Sequence, residues 1–106
     1  MASKNLTVAG QSVPFDGKPR FAEVEAYDLA LRDGGQTLAL IRHMAPVIIN
    51  ARLKPETPFR WEAHTLLDEP TVLAVLEVVE AIQKALNSPK VAAALARLNG
   101  AATPSP

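Results

Sequence analysis

His43, His64 and the carboxylates near them are the residues of this chain best equipped for chemistry. An imidazole changes charge near neutral pH and ligates metals. A zinc site needs three or four such ligands converging. His43 follows Arg42, and His64 stands two residues after Glu62, so no pair has the tight spacing of a metal motif. Both read as ordinary surface or half-buried histidines, and neither a metal nor any other cofactor is expected. The serine and threonine hydroxyls lie on no recognisable elbow turn where a histidine would activate them. Ser88, before Pro89, reads better as a helix cap. Glu23 and Glu25 are two apart on a helix and point away from each other, which gives a solvated face and no acid–base pair. Gly34-Gly35 lacks the third glycine, or the lysine–serine, that a phosphate loop requires. Catalysis is therefore not expected.

Binding chemistry is better represented. Phe59 and Trp61 flank Arg60, and aromatics with arginine dominate interface hot spots. The competing reading is that Trp61 plugs the core beside a long helix. Arg42, Arg52, Lys54 and Arg60 could line a basic edge for nucleic acid. Lysine plus arginine equals aspartate plus glutamate, 11 against 11, and no reader helix is recognisable, so solvated charges are the better account and no nucleic-acid partner is expected. The absence of cysteine excludes disulfides, thiolate catalysis and cysteine zinc sites, and suits a reducing cytoplasm. No apolar stretch approaches the length that spans a bilayer. Met1 to Asn5 lacks the apolar run of a signal peptide. A soluble intracellular protein without a membrane partner is the expectation.

The elements that must position these residues follow from periodicity. At 106 residues the chain predicts one domain, residues 1–100, with Ala101 to Pro106 as a disordered tail. Asn5 to Phe15 alternates loosely about Gly10 and predicts a small hairpin, with Pro14 confining the second strand to an edge or a short run. Asp16-Gly17-Lys18-Pro19 reads as a turn. Arg20 to Arg32 is a first helix, with Phe21, Val24, Tyr27 and Leu31 on its inner face and Glu23, Glu25 and Asp28 toward water. Asp33-Gly34-Gly35 ends it with a left-handed cap. Gln36 to Arg52 is apolar nearly all round and should be central. Pro46 is expected to kink or break it. Thr57-Pro58 predicts a short helix carrying Phe59, Trp61 and Leu66. Asp68-Glu69-Pro70 opens the strongest element, an amphipathic helix to Asn87. Val72, Val75, Leu76, Val79, Ile82 and Leu86 share one of its faces, and Leu73 and Val78 widen the stripe. Ser88-Pro89 opens a last helix through Val91, Leu95 and Leu98, stopped by Gly100. The fold class is thus mostly α: four or five helices in one small bundle with an N-terminal β-hairpin.

Several segments in this order resemble a known family. They are Val8-Ala9-Gly10-Gln11-Ser12-Val13-Pro14-Phe15, Arg20-Phe21-Ala22-Glu23-Val24-Glu25, the apolar run Ala45 to Leu53, Thr57-Pro58-Phe59-Arg60-Trp61-Glu62, and Leu76-Glu77-Val78-Val79-Glu80-Ala81-Ile82. Across residues 6–86 the pattern resembles the small tail assembly chaperones of long-tailed bacteriophages. The resemblance implies a protein of the bacterial host cytoplasm that is not an enzyme. It would coat apolar helices of a tape-measure protein and keep it soluble until tail-tube protein polymerises around it.

A helix as apolar as residues 68–87 must be covered by the rest of the chain or by a partner. The expected partner-binding surface is Phe59, Trp61, Val72, Val75, Val79 and Ile82, acting by sequestration of apolar surface without chemistry. Two other readings are a small inhibitor or adaptor that blocks one enzyme by shape, and a structural homo-oligomer with the long helix buried between copies.

Overall fold

A computed structural model of the chain describes residues 4–102. Among these residues, strands β1 (Lys4–Val8) and β2 (Gln11–Phe15) precede helices α1 (Phe21–Arg32), α2 (Thr37–Leu53), α3 (Glu69–Leu86) and α4 (Pro89–Ala102). The strands pair antiparallel as the only two members of their sheet among these residues. Ala9 and Gly10 form the turn at φ of 50° and 78°. Positive φ at both positions matches the turn to the right-handed twist of the strands. Val8 then opposes Gln11, and Asn5 opposes Pro14. Hydrogen-bonded and non-bonded pairs alternate along such a ladder, so Pro14 falls in a non-bonded pair and forfeits no bond. The second strand is accordingly as long as the first.

Leu6, Val8, Val13 and Phe15 form the buried face of the hairpin. That face lies on α3 through β1 and on α2 through β2, and α1 runs along α2. The hairpin turn is tied down by a short relay. The Ala9 N–H donates to Thr71 Oγ1 (2.9 Å), and the Thr71 hydroxyl donates to Asp68 Oδ1 (2.6 Å). Asp68 also accepts the Thr71 N–H at 3.2 Å, capping α3 as its sequence predicts. The Thr71 hydroxyl, followed by its N–H, holds the Asp68 carboxyl below the ordinary aspartate value.

Helix α2 is the centre. Ala39, Leu40, Ile41, Met44, Ala45, Ile48 and Ile49 are all buried. The helix runs through Pro46 unbroken. The proline removes only the N–H that the Arg42 carbonyl would receive, and burial on several sides holds the turn together. Helix α1 ends as its glycines predict. Gly35 N–H returns to the Ala30 carbonyl and Gly34 N–H to that of Leu31, a Schellman closure at left-handed glycines.

Four expectations are corrected. First, α1 is rotated: it buries Glu23, Ala26 and Ala30, while Phe21 and Leu31 face water. The small alanines let α1 approach α2 closely. Glu23, expected in solvent, is 0% exposed and its partner Arg52 is 1% exposed at the side chain. Arg52 Nη2 and Nε grip the two Glu23 oxygens at 2.8 and 2.9 Å. The Arg20 N–H adds a third donor at 2.7 Å from N3 of the helix back to its cap. Arg52 also stacks 4.6 Å from the Phe15 ring centre, so it belongs to the core and not to a basic edge. Second, residues 58–66 form no helix. They have no regular structure beyond a turn at Ala63-His64, and Asn50 captures both backbone groups of Phe59: its Oδ1 accepts the Phe59 N–H at 2.8 Å and its Nδ2 donates to the Phe59 carbonyl at 3.0 Å. Third, α3 turns its core face toward Thr71, Ala74, Val75, Val78, Val79 and Ile82, leaving Leu76 and Leu86 exposed. Fourth, Gly100 does not stop α4, which continues to Ala102. The rest of the expected disordered tail, 103–106, lies outside the described residues.

Candidate functional site

The aromatic pair is placed by α2. Phe59 is fixed by Asn50, and two residues later Trp61 donates its indole N–H to the Ile41 carbonyl at 3.3 Å. Both rings turn toward the body and meet edge to face at 5.4 Å. Each is partly buried against the core. The chain then turns at Ala63-His64, where Thr65 Oγ1 accepts the Glu62 N–H at 3.1 Å, and leaves Leu66 82% exposed.

Between this segment and α2 lies an apolar cleft of about 190 Å³, lined by Leu38, Ile41, Arg42, Trp61, Thr65 and Leu67. It has room for one large side chain. Leu38 and Leu67 stand exposed on its walls, and Ile41 forms its buried floor. The one charged wall residue, Arg42, is turned toward Asp33, with Nη1 to Oδ2 at 3.0 Å. His43 Nε2 shares the same oxygen at 3.1 Å. His43, first, and then Arg42 hold the Asp33 carboxyl below its ordinary value. The Asp33 carboxylate thus neutralises Arg42 at the rim, and the cleft presents hydrocarbon.

The six residues expected to bind a partner do not form one accessible surface. Phe59 and Trp61 come together, and Trp61 lines the cleft. Val72 is partly buried against the core. Val75 and Ile82 are 0% exposed and Val79 is buried with them. Those three side chains are covered by the hairpin and α2, so a partner reaches them only if the domain opens. Leu38 and Leu67 were not among the expected contacts. The sequence held no signal for them: Leu66 read as part of a short helix and Leu38 as part of the central one, and only the absence of that short helix leaves Leu67 on the surface.

No three His, Cys, Asp or Glu side chains converge in a metal-holding group among the described residues. No described helix is long and apolar enough to cross a membrane. Comparison with family models, curated proteins and solved structures returns no match, so the functional reading rests on geometry and on the sequence pattern.

Proposed function

We propose that the chain is a non-enzymatic protein-binding module that covers the apolar face of a client helix. The observation that carries this reading is the cleft of Leu38, Ile41, Trp61 and Leu67, an apolar slot whose only charge is already answered by Asp33. A slot for one large side chain, with Leu66 and Leu67 exposed at its side, suits a helix that inserts one anchor and lays neighbouring residues across the rim. Few polar side chains line the cleft: they are Thr65, Arg42, which is paired with Asp33, and Trp61, whose indole N–H is spent on the Ile41 carbonyl. The pattern resemblance supplies the biological form of the proposal. The module acts as a tail assembly chaperone in the bacterial cytoplasm and sequesters apolar helices of a tape-measure protein.

The test is light scattering by an aggregation-prone, leucine-rich helical segment of a phage tape-measure protein, alone and with the chain. The proposal expects scattering to be suppressed at near-stoichiometric ratio by the native chain, and to return with Leu38→Asp or Leu67→Asp. Both leucines are exposed, so neither change should unfold the domain. Suppression by both variants equal to that of the native chain would remove the cleft from the account.

A further inference from the structure

Helix α4 ends in a chemically labile pair, Asn99-Gly100. The asparagines of the chain are Asn5, Asn50, Asn87 and Asn99, followed by Leu6, Ala51, Ser88 and Gly100. An asparagine side chain is open to attack by the backbone nitrogen of the next residue, and a side chain on that residue hinders the approach. Gly100 has none. The fold widens the difference. Asn50 has both atoms of its amide engaged by the Phe59 backbone. Asn5 is held in the paired strand β1. Asn87 closes α3 on the Gln83 carbonyl, and its successor Ser88 caps α4 through the Val91 N–H.

Asn99 has no such restraint. Every residue from Leu95 to Asn99 is exposed, and among the described side chains of α4 only Val91 and Ala94 are half-covered. A helix of 14 residues is marginal in water without tertiary support, and it frays first at its ends. Glycine, a poor helix former, sits in its last turn. An intact turn commits the Gly100 N–H four residues back, which keeps the nitrogen from the Asn99 side chain; each opening releases it. Asp16-Gly17 and Asp33-Gly34 share the unhindered glycine but not the reactive amide. Lys18 N–H and Arg20 hold the first carboxylate ionised, and His43 and Arg42 the second, and an ionised carboxylate resists attack.

We propose that Asn99-Gly100 is a self-modification site, at which the chain converts Asn99 to aspartate and isoaspartate without an enzyme. The Gly100 nitrogen gives its proton to solvent and attacks Asn99 Cγ. The N–Cγ bond forms, the Cγ–Nδ2 bond breaks, and the nitrogen leaves as ammonia with a proton from water. Water then opens the five-membered imide. Cleavage at Cγ gives aspartate, and cleavage at the Asn99 backbone carbonyl gives isoaspartate, with the main chain routed through the former side chain. Either product adds one negative charge to a chain balanced at 11 basic and 11 acidic side chains. That charge stands at the C-terminal end of a helix, where the macrodipole disfavours it. Isoaspartate also lengthens the backbone by an atom, so the last turn of α4 cannot reform. The Trp61 cleft, lined by residues of α2 and the segment after it, is untouched by either change.

The test is incubation of the full chain at mildly alkaline pH and body temperature, followed by intact mass, peptide mapping and ion exchange. The expected result is a mass gain of one dalton that maps to the peptide containing Asn99, with isoaspartate as the major product and a matching acidic shift on the column. Asn99→Gln should abolish this product, and Gly100→Ala should slow it at least tenfold. Both changes lie at an exposed helix end, so the domain stays folded, as circular dichroism would report. First conversion at Asn5, Asn50 or Asn87, no mass gain after prolonged incubation, or a Gly100→Ala chain that reacts as fast as the native one would overturn the proposal.

Discussion

Deleting the Glu23 side chain should be the most damaging loss of any single carboxylate in the chain. Glu23 is 0% exposed and receives three donors, two from Arg52 and one from the Arg20 backbone. Glu23→Ala leaves a guanidinium that is itself 1% exposed without its counter-ion. Arg52 Nη1 already lacks a hydrogen-bonding partner among the described residues, with Asp16 Oδ1 at 4.0 Å. Breaking one side of a buried pair costs about 3–5 kcal/mol. A domain of this size holds roughly 5–15 kcal/mol in total, and each kcal/mol moves the melting midpoint of a small domain by roughly 4 °C or more. Glu23→Ala should therefore lower the midpoint, followed by circular dichroism, by at least about 12 °C. Arg52→Met alone strands the carboxylate and should cost a similar amount. The pair Glu23→Leu with Arg52→Met should recover most of the loss, because replacing both buried charges by hydrocarbon is often neutral or better, and Met keeps a stem against Phe15. A double-mutant cycle of Glu23→Leu and Arg52→Met, each alone and together, should give a coupling of at least about 2 kcal/mol. A Glu23→Ala cost under about 1 kcal/mol, the range of an exposed ion pair, would show that water reaches this pair and would refute its place in the core.

Three further outcomes follow from named contacts. Thr71→Val keeps the shape of the side chain but removes the acceptor of the Ala9 N–H and a donor to Asp68; it should cost about 1–3 kcal/mol in urea unfolding and speed amide exchange at Ala9. Asn50→Ala should release the Phe59–Trp61 segment, shifting Trp61 emission to longer wavelength and exposing residues 55–66 to protease while helix content stays unchanged. Asp16, Asp33 and Asp68 all have their carboxyl values lowered in the fold, Asp16 chiefly by the Lys18 N–H, Asp33 by His43 and Asp68 by Thr71. The folded state therefore binds their protons less readily than the unfolded chain. Their contribution is fully present above the ordinary value of 3.8 and is lost as pH falls through the lowered values. A pH titration of the melting midpoint should show a decline beginning near that value, and Asp33→Asn should reduce its steepness.

The parts of this fold that were legible in the sequence are those decided by neighbours along the chain. Asp68 ahead of Glu69-Pro70 is a local helix start, Gly34-Gly35 a local stop, and the gap centred on Gly10 a local turn, and all three appear. Helix existence at α1, α2, α3 and α4 was legible for the same reason. Which face each helix buries was not, because that depends on partners distant in sequence. The three-and-four spacing of Val72, Val75, Leu76, Val79, Ile82 and Leu86 put Leu76 and Leu86 on the face of α3, but the hairpin turn takes the Thr71 hydroxyl, and the buried face runs through Thr71, Ala74 and Val78 instead. Glu23 read as solvated because its partner lies 29 positions away. Thr57-Pro58 carried a good helix-start signal, yet the Asn50 side chain offers the Phe59 backbone both a donor and an acceptor and holds it out of a helix. The same dependence moved the candidate site: Val75, Val79 and Ile82 are apolar because they are core, and the accessible hydrocarbon sits on Leu38 and Leu67 around Trp61.

In the proposed function the Leu38–Trp61–Leu67 cleft grips the apolar face of a helix. Its most direct test is fluorescence anisotropy of a labelled, leucine-striped tape-measure helix titrated with the native chain, Leu67→Asp and Glu80→Lys. Saturable binding by the native chain, unchanged affinity with Glu80→Lys, and at least a tenfold loss with Leu67→Asp are expected. Absence of saturable binding by the native chain, or equal binding by Leu67→Asp, would contradict it.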